Sequence, residues 1–546
     1  MFPTSSIVQN LQSDLLRDLL AFLPELILCW AIVGSLVLRM ISSLNRIHLG
    51  YFALASSVLA LIVAVAQWQG GMLDPRPNPD SSAPLPIFTG LLVYDAFAIY
   101  IRLFLLAFLA VALWLCLLTG IPDRDDAADF TTLLMGSTLG MMLMSSANHL
   151  LMVFIAVEMA SVPSYALAGF LKGKRQGSEA ALKYVVYGAS ASGIMLYGIS
   201  MLAGKFGTGY FPDVALGFTA VMKSGNLDIV LLAGTLFILI GLGFKLAAVP
   251  FHFWCPDVFE GAAAEVAAFL SVASKGAALA LTARFLLTIT AKPDIAVFLS
   301  GSIGLVLAVL AAATMTFGNL AALGQTNLKR LLAYSTIAHA GYMMTALVAL
   351  SPSAAGAMLY YLIAYFLMNL GAFAVVAFLR NLTGSEDLSS FGGMIQRAPI
   401  LVVTLAFFLL SLLGLPPLAG FAAKFQIFAS IYETGESYRR DFAMMSYVFY
   451  GLLAIAAINT VISAAYYLKI LRVMILDAPP EDAPPLRVSP GAALLTSLLT
   501  VGVIVVGVAW NPLTRATKTA VAPFVQERTM APIAPKKLRE PVPDKG

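Results

Sequence analysis

The sequence predicts an all-α polytopic membrane protein of about fourteen transmembrane helices, and three observations predict it. Apolar runs long enough to cross a bilayer recur almost end to end, charge is scarce, and most of that charge falls in the short breaks between runs. Of 546 residues, 60% are hydrophobic and only 11% charged, whereas a soluble domain is roughly 45–50% apolar and 25% charged. A helix needs about 20 apolar residues to cross roughly 30 Å of hydrocarbon, and no polar stretch of soluble-domain size separates the runs. No independent globular domain is expected.

Residues 1–18 are polar and lack a basic region followed by a short apolar core and a small-residue cleavage site, so no removable signal is expected and the first span is retained. Charges, Gly/Pro clusters or Asn bound each run that follows. The first three spans lie near 19–40, 49–68 and 93–119. Five more lie near 129–147, 149–171, 180–204, 227–250 and 262–288, and another five near 295–320, 331–350, 356–380, 399–429 and 446–474. A last span at 490–511 precedes a tail, 512–546.

An even number of spans puts both termini on one side. Arg39, Arg46, Arg124, Lys172, Lys174, Arg175, Lys329, Arg330, Arg380, Arg397, Lys469, Arg472 and Arg487 gather on the opposite face, so the positive-inside rule turns the termini outward. The tail, rich in Pro, Lys and Arg, pulls the other way and reads as disordered or lying along the surface.

Composition excludes several function classes. The net charge of +4 is small and its basic residues are dispersed, which argues against nucleic acid. Cys29, Cys116 and Cys255 form no CxxC pair, and His48, His149, His252 and His339 are equally scattered, so no disulfide framework, iron–sulfur, haem or zinc site is expected. No glycine-rich phosphate loop occurs, so no nucleotide is expected to bind this chain.

The informative residues are charges inside the spans. An ionised group at mid-bilayer costs at least about 2.5–3.5 kcal/mol, so one that persists faces protein or water and is a functional candidate. Glu158 lies about ten residues past Asn148, roughly 15 Å deep. A structural carboxylate paired with a nearby lysine is the plain alternative, and the two roles can coexist.

Lys245 precedes Pro250, whose ring displaces the carbonyl of Leu246 and breaks the helix beside the ammonium. Lysine can release and recover a proton when buried, which arginine cannot; snorkelling to the span end is the alternative. Lys275 stands in the middle of its span, too deep to snorkel. Lys424 follows Pro416 and Pro417, which free the carbonyls of Leu412 and Leu413. Paired interruptions in corresponding spans of two halves point to an ion site in a transporter built from repeats.

His339 is the mid-span histidine, with an ordinary pKa of about 6.5 suited to a relay; a hydrogen-bonded structural role is the alternative. Lys183 either lies beside Glu158 and tunes it or snorkels. Glu25, Asp95, Arg102 and Arg284 lie nearer span ends, where interfacial or helix-pairing roles are expected.

These residues sit in stretches with a family resemblance. The most specific are Ala181-Leu-Lys-Tyr184 with Ser192-Gly193, Pro250-Phe-His-Phe-Trp-Cys-Pro-Asp-Val258, Glu260-Gly-Ala262 and Asn327-Leu-Lys-Arg-Leu-Leu332. Tyr334-Ser-Thr-Ile-Ala-His-Ala-Gly-Tyr342, Gly414-Leu-Pro-Pro-Leu-Ala-Gly-Phe421 and Ser463-Ala-Ala-Tyr-Tyr-Leu-Lys469 join them. From Leu23-Pro-Glu-Leu26 to the last span, the sequence resembles the subunit N family of respiratory NADH:quinone oxidoreductase (complex I), antiporter-like membrane subunits related to cation/proton antiporters.

The resemblance implies fourteen helices with two inverted five-helix repeats, at 129–288 (helices 4–8) and 295–474 (helices 9–13). Helices 1–3 would occupy 19–119, helix 14 would occupy 490–511, and helices 7 and 12 would be broken. It implies a proton relay of Glu158, Lys183, Lys245, Lys275, His339 and Lys424, coupled to quinone reduction elsewhere in a translocase, without redox chemistry in this chain. It also implies no cofactor here; NADH, FMN, iron–sulfur clusters and quinone belong to partner subunits.

The implied neighbours are the antiporter-like subunit M, the small subunits K and J, the lateral helix of subunit L and the lipid of a bacterial inner (plasma) membrane, with no nucleic acid. A subunit of a multi-subunit sodium/proton antiporter is the alternative function, and an assembly scaffold with relic charges a third. Two departures stand out. Residues after Gly261 read Ala-Ala-Ala-Glu-Val where the family has a Pro-Thr-Pro run, so Glu265 brings an unexpected carboxylate to the eighth span, and the tail from Asn511 exceeds the family's length.

Overall fold

The structure, a computed structural model, describes residues 14–41, 48–71, 73–76, 83–171, 175–223, 228–291, 295, 299–440, 442–479 and 485–529. The polar segment 1–18 therefore lies largely outside the described residues, as do Arg46, Lys172 and Lys174.

Three helices come first: α1 (Leu23–Met40), α2 (Gly50–Trp68) and, after an antiparallel hairpin of β1 (Leu85–Ile87) and β2 (Leu92–Tyr94), α3 (Ala96–Thr119). The next group is α4 (Ala127–Ser146), α5 (Leu150–Ala168), α6 (Arg175–Phe206), the short α7 (Phe211–Lys223), α8 (Ile229–Leu246), α9 (Trp254–Gly261) and α10 (Ala264–Ile289). Then come α11 (Gly301–Leu323), α12 (Leu328–Val348), α13 (Pro352–Thr383), α14 (Met394–Arg397), α15 (Pro399–Leu413), α16 (Ala419–Tyr438) and α17 (Ala443–Leu476). The chain continues through α18 (Pro490–Val508) and α19 (Trp510–Thr529).

Among the described residues, 13 helices are long and apolar enough to cross a membrane. The fourteenth expected span is the broken pair α15 and α16, neither of which counts alone. Besides α19, the elements not expected are the hairpin and the short helices α7, α9 and α14. The tail also differs from expectation, because α19 carries it as helix to Thr529, and residues 530–546 lie outside the described set.

Corresponding helices of the two halves pack alike, and small residues let them approach. A Cβ on Gly140 of α4 would stand 2.4 Å from the Ala160 nitrogen of α5. In the second half, a Cβ on Gly318 of α11 would stand 2.6 Å from the Ala338 nitrogen of α12. Each pair is thus locked backbone to backbone, which is how helices associate where lipid removes the hydrophobic drive. Helices α10, α12 and α13 lie almost wholly buried at the centre, while α1, α17 and α18 turn most of their surface outward.

The charges near span ends are helix-pairing groups. Arg102 of α3 meets Glu25 of α1 at 2.6 Å with both side chains fully buried, and donates to the Ala21 carbonyl at 3.2 Å. Asp95 caps α3, accepting from the Ala98 amide at 2.8 Å, and takes a bidentate pair of 2.8 Å bonds from Arg284 of α10. Removing one member of a buried pair strands the other, at a cost of about 3–5 kcal/mol. Glu25→Ala is therefore expected to lower the thermal midpoint of the assembled protein, and Glu25→Ala with Arg102→Met to recover much of it; an unchanged midpoint in the single variant would contradict the role.

Candidate functional site

Helix α8 ends because Pro250 cannot continue it. Ala247 turns into the left-handed region at φ +55°, and the amides of Ala247 and Ala248 return to the Phe244 and Gly243 carbonyls. Lys245 sits in that last turn, 1% exposed, so it does not snorkel. Its ammonium donates to Ser161 Oγ at 3.0 Å. Ser161 lies one turn along α5 from Glu158, which is within electrostatic reach of Lys245. Glu158 is half-buried and accepts a hydrogen bond from Ser192 Oγ of α6.

Lys275 follows a widened turn, Leu270–Ser274, inside α10. Such π-turns leave helix hydrogen bonds imperfectly made and recur at functional positions. Lys275 is fully buried, and its Nζ, together with Ser274 Oγ and Asn369 Oδ1, finds no hydrogen-bond partner among the described residues. His252 and Cys255 lie within its electrostatic reach. The positive charge of Lys275 in turn reaches His339.

His339 of α12 is held at both ring nitrogens. Nδ1 lies 2.7 Å from the Tyr361 hydroxyl of α13 and Nε2 lies 3.1 Å from the Tyr467 hydroxyl of α17. Tyr467 also bonds Ser335 Oγ at 2.5 Å. Lys424 lies within reach of the same histidine. Two prolines stop α15, and the Leu413 carbonyl they free accepts from Lys424 Nζ at 3.0 Å. The ammonium also stands 4.6 Å from the centre of the Tyr342 ring. The two broken spans are not copies: Lys245 lies before its break, in the first half-helix, and Lys424 after its break, in the second.

Lys183 does not lie beside Glu158. Its ammonium bonds Asp257 of α9 and Glu179 of its own helix, both at 2.7 Å. The partner Glu158 chooses on α6 is Ser192, nine residues further along and so about 13.5 Å away. Arg330 completes the Lys183 cluster with 2.7 Å bonds to Asp257 and Glu260. Burial opposes ionisation of Asp257, but the bonds from Lys183 and Arg330 outweigh it and hold the carboxyl below its usual range.

A cavity of about 180 Å³ opens over this cluster. It adjoins one of about 340 Å³ lined by Lys329, Arg380 and Glu386, and the two share Gln176, Glu260 and Gly261. Glu265 lies 2% exposed in the first turn of α10 and pairs with Arg380 at 3.1 Å. Its charge is matched there by Arg380, about 15 Å along the helix from Lys275.

Sequence reasoning missed Ser161, Ser192, Asp257, Arg330, Tyr361 and Tyr467. Asp257 and Arg330 stood inside the stretches that carry the family resemblance. Tyr467 and Ser192 stood inside those stretches too, whereas Tyr361 gave no signal beyond its position in a span, where a tyrosine is ordinary core. Among the described residues no group of three or more His, Cys, Asp or Glu side chains is placed to hold a metal ion.

The family model described as "NADH:quinone oxidoreductase/Mrp antiporter, TM" matches residues 147–464, more than half the chain. NADH-quinone oxidoreductase subunit N of Anaeromyxobacter sp. (strain Fw109-5) is 39% identical over 523 residues, covering 93% of this chain and 98% of that protein. NADH-quinone oxidoreductase subunit N 2 of Sorangium cellulosum is 38% identical over 510 residues, covering 91% and 96%.

Among solved structures, a chain of respiratory complex I from Thermus thermophilus is 30% identical, with a TM-score of 0.71 over 91% of this chain and 99% of that one. A chain of the Mrp complex from Dietzia sp. DQ12-45-1b reaches a TM-score of 0.79 over 94% and 98%, at 20% identity. The second likeness is one of fold alone; the sequence identities separate the two.

Proposed function

The chain belongs to the subunit N family of NADH:quinone oxidoreductase, within the wider NADH:quinone oxidoreductase/Mrp antiporter transmembrane family, and from that premise we propose that it translocates protons through Glu158, Lys245, Lys275, His339 and Lys424. It performs no redox step; NADH, FMN, iron–sulfur clusters and quinone act in partner subunits. It lies in a bacterial plasma membrane with both termini outward, beside subunits M, K and J and the lateral helix of subunit L.

One contrast carries the reading. The structural charges are bonded directly to arginines, as Glu25 is to Arg102 and Asp95 to Arg284. Among the buried lysines Lys329 pairs with Glu386 at 2.9 Å, whereas the three of the relay make no direct ion pair: Lys245 donates to a hydroxyl, Lys424 to a carbonyl, and Lys275 to no described group. A buried polar group left unmade costs about 1–3 kcal/mol, more when charged, so these ammonium groups are suited to hydration and to proton loss. Arginine pairs are not, because guanidinium holds its proton throughout.

The mechanism is electrostatic. Drawing Glu158 toward or away from Lys245 changes the lysine's proton affinity, each pKa unit being worth about 1.4 kcal/mol. The change passes through Lys275 and His339 to Lys424, whose proton leaves by the broken span. Lys183, bonded to Asp257 and Glu179, belongs to the charged mouth on the basic face, where protons enter.

The sodium/proton antiporter alternative is separated by one measurement. In proteoliposomes of the assembled complex, NADH should drive lumen acidification equally in sodium and in choline medium, with no sodium-for-proton exchange when NADH is absent. Exchange without NADH would favour the antiporter.

A further inference from the structure

Helix α19 lies beyond the last span, in the tail to which the resemblance gives no role beyond a subunit contact. It packs across α3, α13 and α18 and touches α16. One face is buried: Thr517, Ala520, Val521 and Phe524 are each at most 4% exposed. Phe524 meets Phe97 edge to face at 5.3 Å and stands 5.7 Å from Arg284, fixing one end of the helix to the Asp95–Arg284 pair. Near the other end, Gln426 of α16 donates to Thr514 Oγ1 at 3.4 Å.

Between these anchors the packing opens. A cavity of about 460 Å³ separates α13, α16 and α19, room for on the order of ten waters. Small residues of α13 keep it open: a Cβ on Gly356 would stand 3.8 Å from Val521 and 3.9 Å from Thr517. Ser430 and Glu433 line it from α16, the half-helix that carries Lys424, and Lys518 lines it from α19. Ala357, also in its lining, is one helical turn from Tyr361, whose hydroxyl bonds His339. An open gap lined by both apolar and polar side chains thus lies one turn from the relay, where α19 crosses the spans.

We propose that α19 is the outer wall of a proton outlet, with Glu433 as the carboxylate that passes protons from the cavity to bulk water. This rests on the relay reading above and names its exit. A proton leaving His339 passes to the Tyr361 hydroxyl, which releases its own proton across the one helical turn to Ala357 and the cavity; Glu433 accepts it there and gives it to solvent. Lys518 lines the same cavity from α19.

The test uses the assembled complex in vesicles. Ala357→Phe fills the cavity and Glu433→Gln removes its carboxylate; both should lose most NADH-driven proton release. Ser430→Cys should react with a membrane-impermeant maleimide added to the face bearing the termini, and Ala357→Phe should suppress that reaction. Full pumping by Glu433→Gln, or an unreactive Ser430→Cys, would overturn the outlet. Lys424→Met separates the two levels: if it also pumps fully the relay itself fails, whereas if it does not and Glu433→Gln pumps fully, only the outlet fails. Should Ala357→Phe not assemble, Glu433→Gln and the labelling decide alone.

Discussion

Lys245→Met should assemble normally and lose proton translocation, by about 10²-fold or more, the scale on which a positioned proton-transfer group contributes. The ammonium is buried and bonded only to Ser161 among the described groups, so methionine of similar length removes the charge without opening a void. The helix break stays, because Pro250 and the Ala247 turn set it. The decisive partner is Lys245→Arg. It keeps the positive charge beside Glu158, yet arginine cannot release a proton, so it should fail as methionine does. NADH-driven acidification of vesicles, read beside assembly of the complex, checks both; pumping restored by arginine would reduce Lys245 to a fixed charge.

The second large effect is at the other end of the row. Lys424→Met should also abolish pumping, and here a structural consequence is expected as well. The Leu413 carbonyl loses its donor and the Tyr342 ring its cation. Losing a hydrogen bond from a charged group costs about 1.5–3 kcal/mol, so the thermal midpoint of the complex should fall, but the break at residues 414–418 should persist, since Pro416 and Pro417 impose it. Lys424→Arg should recover stability and not pumping. A variant that regains both would show that charge alone, and not proton exchange, is what this position supplies.

The architecture was legible because its causes are local. Length and hydropathy fix how many times the chain crosses the bilayer, and Pro250, Pro416 and Pro417 fix where two spans break. The freed Leu413 carbonyl was readable in advance for the same reason: a proline ring displaces the carbonyl four residues before it whatever surrounds the helix. Glu158, Lys245, Lys275 and Lys424 were legible as candidates because a charge at that depth is costly enough to need a reason.

Partners were not legible. The residues alone leave Lys183 either beside Glu158 or snorkelling, and helix phase decides against the first: α6 turns Lys183 to Asp257 of α9 and Ser192 to Glu158 of α5. Glu265 found Arg380, 115 residues away in sequence, and His339 found Tyr361 and Tyr467. The tail past residue 511 was read as disordered or surface-lying because its composition is polar and rich in proline. It forms a helix to Thr529 because α3, α13 and α18 offer its apolar face a place to pack.

By itself, then, the sequence determined the solvent of this protein, the number of crossings, the two breaks and the identity of the deep charges, since each follows from the free energy of a residue in hydrocarbon or from the geometry of one residue type. Only the tertiary structure decided which charges meet. Pairing depends on the rotation and depth of helices that are far apart in sequence and locked by close contacts such as Gly140 on Ala160 and Gly318 on Ala338, and no local preference encodes that.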